Sequence, residues 1–147
     1  MIMRVLVVDD NKDLTELIQG VLEGEGVEVM PAYDGIQGYA SYLLFQPDLV
    51  ITDIQMPGGT GFEMMQHIRA HNPMIKTVYM SGDIDACRLP LEQEKKRYPV
   101  TFLAKPFPLK ALMELVSEPE QRSPMEDAAV LYHQSLQQPA DGLPSPQ

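Results

Sequence analysis

The sequence predicts an α/β domain: an open, doubly wound parallel sheet of five strands with helices on both faces, followed by a C-terminal tail. Three observations predict it. Short apolar runs alternate five times with stretches whose apolar residues recur at helical spacing. Most of those runs stop on a charged or hydroxyl residue. From Glu118 to Gln147 the composition changes, with prolines at 119, 124, 139, 144 and 146 and glutamines at 121, 134, 137, 138 and 147. The expected division is therefore a domain over 1–117 and a Pro/Gln-rich tail over 118–147.

The elements follow in order. Met3 to Val8 is rich in β-branched residues and stops at Asp9-Asp10. Leu14, Leu17, Ile18, Val21 and Leu22 then share one helical face, and Gly24 and Gly26 end that helix. Val27 to Met30 is a second strand. Ile36, Tyr39, Ala40, Leu43 and Leu44 repeat the helical spacing, and Pro47 closes the unit. Leu49 to Thr52 is the third strand, ending at Asp53. Gly61, Met64, Met65 and Ile68 mark a third helix. Ile75 to Met80 is the fourth strand, ending at Ser81-Gly82. Between Asp83 and Tyr98 the pattern is weakest, and Pro90 is expected to break any helix there. Val100 to Ala104 is the fifth strand, ending at Lys105-Pro106, and Leu109, Leu112, Met113 and Val116 give the last helix.

Composition bounds the function. A chain of 147 residues, 44% hydrophobic and 22% charged, can bury a core without metal or disulfide. Its 21 acids and 11 bases give a net charge of −10, which argues against a protein held on nucleic acid by a broad basic surface. The tail carries five acids and one base, so the first 117 residues have a net −6. Cys87 is the single cysteine, which excludes an internal disulfide framework and fits the reducing cytoplasm. No run approaches a membrane span, and the apolar N-terminus turns acidic too soon for a signal peptide.

Ligands of an open parallel sheet bind beyond the carboxyl ends of its strands. The strand ends here carry Asp9 and Asp10, Asp53, Ser81 and Lys105. Three carboxylates at one edge repel one another unless a cation sits among them, and an oxygen-only donor set suits Mg²⁺. Lys105 adds a point charge able to pair with a carboxylate or a phosphoryl oxygen, and Ser81 adds a hydroxyl donor. These are the parts that stabilise a transferred phosphoryl group. Asp53 is then the candidate nucleophile, because carboxylates form aspartyl-phosphate intermediates.

Four segments in this order resemble the receiver domain of two-component response regulators. They are Val8-Asp9-Asp10-Asn11, Asp53-Ile54-Gln55-Met56-Pro57-Gly58, Ser81-Gly82 and Lys105-Pro106-Phe107. The resemblance covers residues 3 to about 117 and implies the flavodoxin-like receiver fold. It implies that Asp53 accepts phosphate from a histidine kinase or phosphotransfer protein. Asp9, Asp10, Asp53 and the backbone carbonyl of Gln55 would hold Mg²⁺ (or Mn²⁺). Ser81 would bond the phosphoryl group and move with it, Lys105 would bind another phosphoryl oxygen, and the Lys105-Pro106 bond would be cis. Phe102 occupies the family's aromatic switch position. Gln55 and Asp83 would line the path of the hydrolytic water and tune the phosphoryl lifetime. Such a chain is a phosphoacceptor rather than an enzyme, with at most self-phosphorylation and weak autophosphatase activity. Its expected partners are the kinase and a downstream protein target, with no direct nucleic acid, no membrane insertion and a homodimer as one arrangement.

Other readings fit fewer residues. A haloacid-dehalogenase type of enzyme wants a second Asp two positions after the nucleophile, where Gln55 stands. A flavodoxin-like cofactor binder needs a hydroxyl- and glycine-rich loop after the first strand, where Asp9-Asp10 would repel phosphate. A receiver-like module that acts without phosphorylation would not need the intact acidic set. His67 and His71 lie i, i+4 but lack a third ligand nearby, so they read as a solvated helix face. Lys95-Lys96-Arg97 reads as an exposed charge run that could also dock a partner. Lys96-Arg97-Tyr98-Pro99 replaces the family's usual small-residue turn and, with Pro90, suggests an irregular or shortened fourth helix.

In the tail, Ser123-Pro124-Met125-Glu126 reads as a capping box, and Met125, Ala128, Ala129, Tyr132 and Leu136 share a face. A helix over 124–137 is one reading, needing a surface on this domain or on a second copy. An unstructured Pro/Gln end is the other. Thirty residues leave no room for a DNA-binding output domain, so output is expected through protein contacts unless the sequence is a piece of a longer chain.

Overall fold

The computed structural model describes residues 2–117. Its elements are β1 (Arg4–Val8), α1 (Lys12–Gly24), β2 (Glu28–Ala32), α2 (Gly35–Phe45), β3 (Leu49–Asp53), β4 (Gln55–Met56), β5 (Gly59–Thr60), α3 (Gly61–Arg69), β6 (Lys76–Ser81), α4 (Ile84–Lys95), β7 (Val100–Ala104) and α5 (Leu109–Ser117). Five parallel strands form the sheet in the order β2-β1-β3-β6-β7, and β4 and β5 make a two-residue antiparallel ribbon at the end of β3. The expected helix at 124–137 lies outside the described residues.

Register carries the side chains into layers. Val8, Thr52, Tyr79 and Phe102 form one row across the sheet, as do Leu6, Val50, Thr77 and Val100. This face packs with Tyr42 of α2, Met64, Met65 and Ile68 of α3, and Cys87 and Leu91 of α4. On the opposite face α1 lies against β1 and β2, burying Thr15, Ile18 and Leu22. Residues buried on both sides explain why the strands read as continuous apolar runs rather than alternating ones. Residues up to Leu109 form one unit, and α5 begins the next, with Leu112 and Val116 buried on one face of that helix.

Side-chain caps start each helix before the last. Asn11, Asp34, Thr60 and Asp83 accept the backbone N–H of Leu14, Gln37, Glu63 and Ala86 at 3.1, 2.7, 3.1 and 3.2 Å. Thr60 and Glu63 complete a reciprocal capping box. Gly38 lets α2 lie close to the sheet, because a Cβ there would come within 3.1 Å of Val8 and press on the Met64 sulfur.

The structure corrects three expectations. Leu17 is half exposed, and Thr15 takes its place on the buried side of α1. In α2 the inward residues are Gly38, Tyr42 and Phe45, so most of the apolar stripe expected to face the core points outward. The fourth helix is regular over twelve residues despite Pro90. Pro90 and Ala86 are both exposed, so the carbonyl deprived of its donor is on the helix's solvent side. The inward residues Cys87 and Leu91 anchor the helix across the proline, and so does a buried polar network. Glu94 pairs with Arg69 at 2.8 Å and accepts the Tyr79 hydroxyl at 2.6 Å, while Arg69 also reaches the Thr77 hydroxyl and stacks 4.1 Å from the Tyr98 ring centre. Burial and the Glu94 carboxylate together push the Tyr79 hydroxyl's pKa far up, so it stays a donor.

Candidate functional site

The carboxyl ends of β1, β3, β6 and β7 bring the predicted residues to one edge. Asp9 follows β1, its own N–H donating to the Ala32 carbonyl at 3.1 Å. Its side chain is wholly buried, accepting the Asn11 N–H at 2.9 Å. Asp53 ends β3 at 7% exposure. Asp10 is exposed beside them, and one carboxylate oxygen from each of the three lies within 4.8 Å of the others. Lys105 reaches back from β7, its Nζ 2.8 Å from Asp9 Oδ2 and 3.3 Å from Asp53 Oδ2. Its backbone N–H is fixed to the Ser81 carbonyl at 2.7 Å, and its peptide bond to Pro106 is cis.

The charges act on one another. Burial, then the neighbouring Asp9 charge, raises the Asp53 carboxyl above its ordinary range, while Lys105 and the Gln55 backbone N–H pull it back. Burial alone would lower the Lys105 ammonium, but its bond to Asp9 and the charges of Asp9 and Asp53 outweigh that and raise it. Lys105 thus places one ammonium among three carboxyl groups. The donor set fits a hard divalent cation: three convergent carboxylates, one of them wholly buried, supply oxygens only.

The other predicted residues lie on β6, β7 and the segments that follow β3 and β6. Ser81 is buried; its hydroxyl oxygen accepts the Asp83 N–H at 3.0 Å, and the hydroxyl also meets the Cys87 thiol, 3.9 Å away. Asp83 is engaged as the cap of α4, while Gln55 is exposed at the start of the β4–β5 ribbon. Phe102 is partly buried against the cluster that holds Tyr79. His71, in the turn after α3, meets the Tyr39 hydroxyl of α2 at 2.7 Å.

Two supports were not legible as site residues. The Thr52 hydroxyl donates to the Asp53 carbonyl at 2.9 Å. Gly61, first in α3, abuts the same carbonyl, where any Cβ would collide, and its N–H donates to Ile54 O at 2.8 Å. A glycine at a helix start that already has a capping box is the one sequence signal for that close approach.

The family model for the response regulator receiver domain matches residues 5–117. The chain belongs to this family. Among curated relatives, the DNA-binding response regulator MtrA of Mycobacterium tuberculosis (strain H37Rv) is 32% identical over 130 residues, covering 87% of this chain and 55% of MtrA. The receiver thus spans about half the length of such relatives. Sporulation initiation phosphotransferase F of Bacillus subtilis (strain 168) is 26% identical over 117 residues, covering 78% of this chain and 91% of that protein. The structure of the Thermotoga maritima response regulator TrrA in complex with Mg(2+)-BeF matches with a TM-score of 0.69 and 30% identity, over 80% of this chain and 98% of that one. Chemotaxis response regulator CheY4 of Vibrio cholerae matches with a TM-score of 0.69 and 25% identity, over 78% and 96%. The fold and function classes expected from the sequence are those of the family, and no helix among the described residues is long and apolar enough to cross a membrane.

Proposed function

We propose that this receiver is a phosphorylation-dependent switch whose acceptor is Asp53. One observation carries the reading: the Asp53 carboxylate, at the end of β3, lies 3.3 Å from the Lys105 ammonium and within 4.8 Å of the carboxylates of Asp9 and Asp10. A carboxylate oxygen of Asp53 forms the bond to phosphorus as the bond to the donor's imidazole nitrogen breaks, and that nitrogen keeps the electron pair. Lys105 moves its charge toward a phosphoryl oxygen, and the Ser81 hydroxyl donates to another. Asp9, Asp10, Asp53 and the Gln55 carbonyl would hold Mg²⁺ or Mn²⁺, which when bound supplies the charge to offset the crowded oxygens. Phe102, in register with Tyr79, carries the change of state toward the output surface.

The donor is a histidine kinase or phosphotransfer protein in the cytoplasm. A small phosphodonor also serves, and slow self-hydrolysis resets the switch. Output runs through a protein target. The net charge of −10 opposes direct contact of this chain with nucleic acid, and the DNA binding in MtrA's name is a property of that protein, 55% of which this chain matches.

Intact mass after incubation with acetyl phosphate and Mg²⁺ tests this. One added phosphoryl group is expected in the wild type, and none in Asp53→Asn or with EDTA. Phosphate uptake by Asp53→Asn at the wild-type rate would overturn the site assignment. No uptake by the wild type would leave a phosphate-independent module.

A further inference from the structure

The outer side of α2 has no role in the switch just described. Gly35–Phe45 contains no charged residue, although the chain as a whole is strongly acidic. Its outward side chains are Ile36 at 84% exposure, Leu44 at 86%, Leu43 at 45% and the exposed Ala40. A monomer rarely leaves such a continuous aliphatic stripe in water. The inward residues Gly38, Tyr42 and Phe45 already cover the sheet, so the stripe is not needed for this domain's own core.

We propose that α2 is a self-association surface, its occupant the α2 of a second copy in antiparallel, two-fold pairing about Ala40. The order of side chains is symmetric about that residue. Ile36 lies four positions before it and Leu44 four after, both on its face. A two-fold axis at Ala40 sets Ile36 of each copy beside Leu44 of the other, while the small centre allows close approach. Leu43 then meets Gln37, whose amide oxygen is held by the Tyr33 N–H at 2.9 Å and whose methylenes are left for contact. Antiparallel helices also oppose their dipoles favourably. The absence of charge on α2 disfavours a charged partner. The helix offers no ion pair to a partner, and it gives two acidic chains a contact surface without side-chain charge.

The test uses the full chain. Sedimentation velocity over a concentration series should show a monomer–dimer equilibrium, weakened about tenfold or more by Leu44→Glu, with helix content and Tm unchanged. Leu44→Ser serves as the second variant should the glutamate disturb folding. Mild oxidation of Ala40→Cys should give a disulfide-linked dimer, whereas Gln19→Cys on α1 should not, and Cys87 is buried. A chain that stays monomeric, a dimer indifferent to both Leu44 variants, or no cross-link at position 40 would each overturn the proposal. Loss of the dimer on truncation after Ser117 but not with Leu44→Glu would also overturn it, giving the role to the tail.

Discussion

At the residue scale the site stores electrostatic strain that the fold tolerates for its chemistry. Asp53's carboxyl is raised first by burial and then by Asp9, so folding favours its neutral form. That contribution is fully present below the ordinary carboxylate pKa and is lost as pH rises through the raised value in the fold. At neutral pH the ionised side chain therefore destabilises the domain. Asp53→Asn should raise Tm by a few degrees, on the order of 1 kcal/mol, and the gain should close as pH falls through that window. Calorimetry between about pH 3 and 8 checks both the sign and the closure. A mutant less stable than wild type at neutral pH would contradict it. For Gln55 and Asp83 we propose a role in the lifetime of the phosphoryl group. Gln55→Ala should change the decay of the acyl phosphate several-fold, on the order of 1 kcal/mol in barrier. Asp83→Ala should do the same and in addition lower stability by about 1 kcal/mol, because its carboxylate caps α4. Phosphate release from purified phosphorylated protein reads the first effect and urea unfolding the second. Equal decay rates in wild type and both variants would refute the lifetime roles.

At the element scale α4 invites a direct experiment. Pro90 leaves the Ala86 carbonyl without its helical donor, yet both residues are exposed. An alanine at 90 restores the bond and removes the ring clash, so Pro90→Ala should stabilise the domain. The gain is expected at about 1–2 kcal/mol, less than the full helix penalty, because the proline also restricts the unfolded chain. Chemical denaturation measures it, and a destabilised variant would show that α4 depends on its proline. The same helix shows what the sequence conveyed and what it withheld. Asp9, Asp53, Ser81 and Lys105 were legible because topology alone sends strand ends to one edge, whatever the helices do. Helix 4 was not, because its hold comes from Arg69 and Tyr79, 25 and 15 residues from Glu94, and no local pattern carries such distances. Helix 2 misled for a different reason. It carries no charged residue to mark a solvent side, so spacing alone picked the wrong face, and the residue that decides the matter is Gly38, which has no side chain to signal burial.

At the scale of the molecule, charge and the α2 stripe pull in opposite directions. A net charge of −10 makes two copies repel at low ionic strength, while the proposed contact has no charge of its own to be screened. The sign of the salt dependence follows. The Debye length falls from roughly 30 Å at 0.01 M to 10 Å at 0.1 M, so added salt removes the repulsion between the acidic surfaces and leaves the aliphatic contact intact. Dimerisation should therefore tighten as NaCl rises from tens to hundreds of millimolar, opposite to an interface built on ion pairs. Phosphorylation of Asp53 adds negative charge to each copy and should weaken the dimer at low salt more than at high salt. Sedimentation equilibrium of the phosphorylated and unphosphorylated chain across that range separates the cases. A dimer that loosens as salt rises would mean that charged residues, not Ile36, Ala40 and Leu44, hold the two copies together.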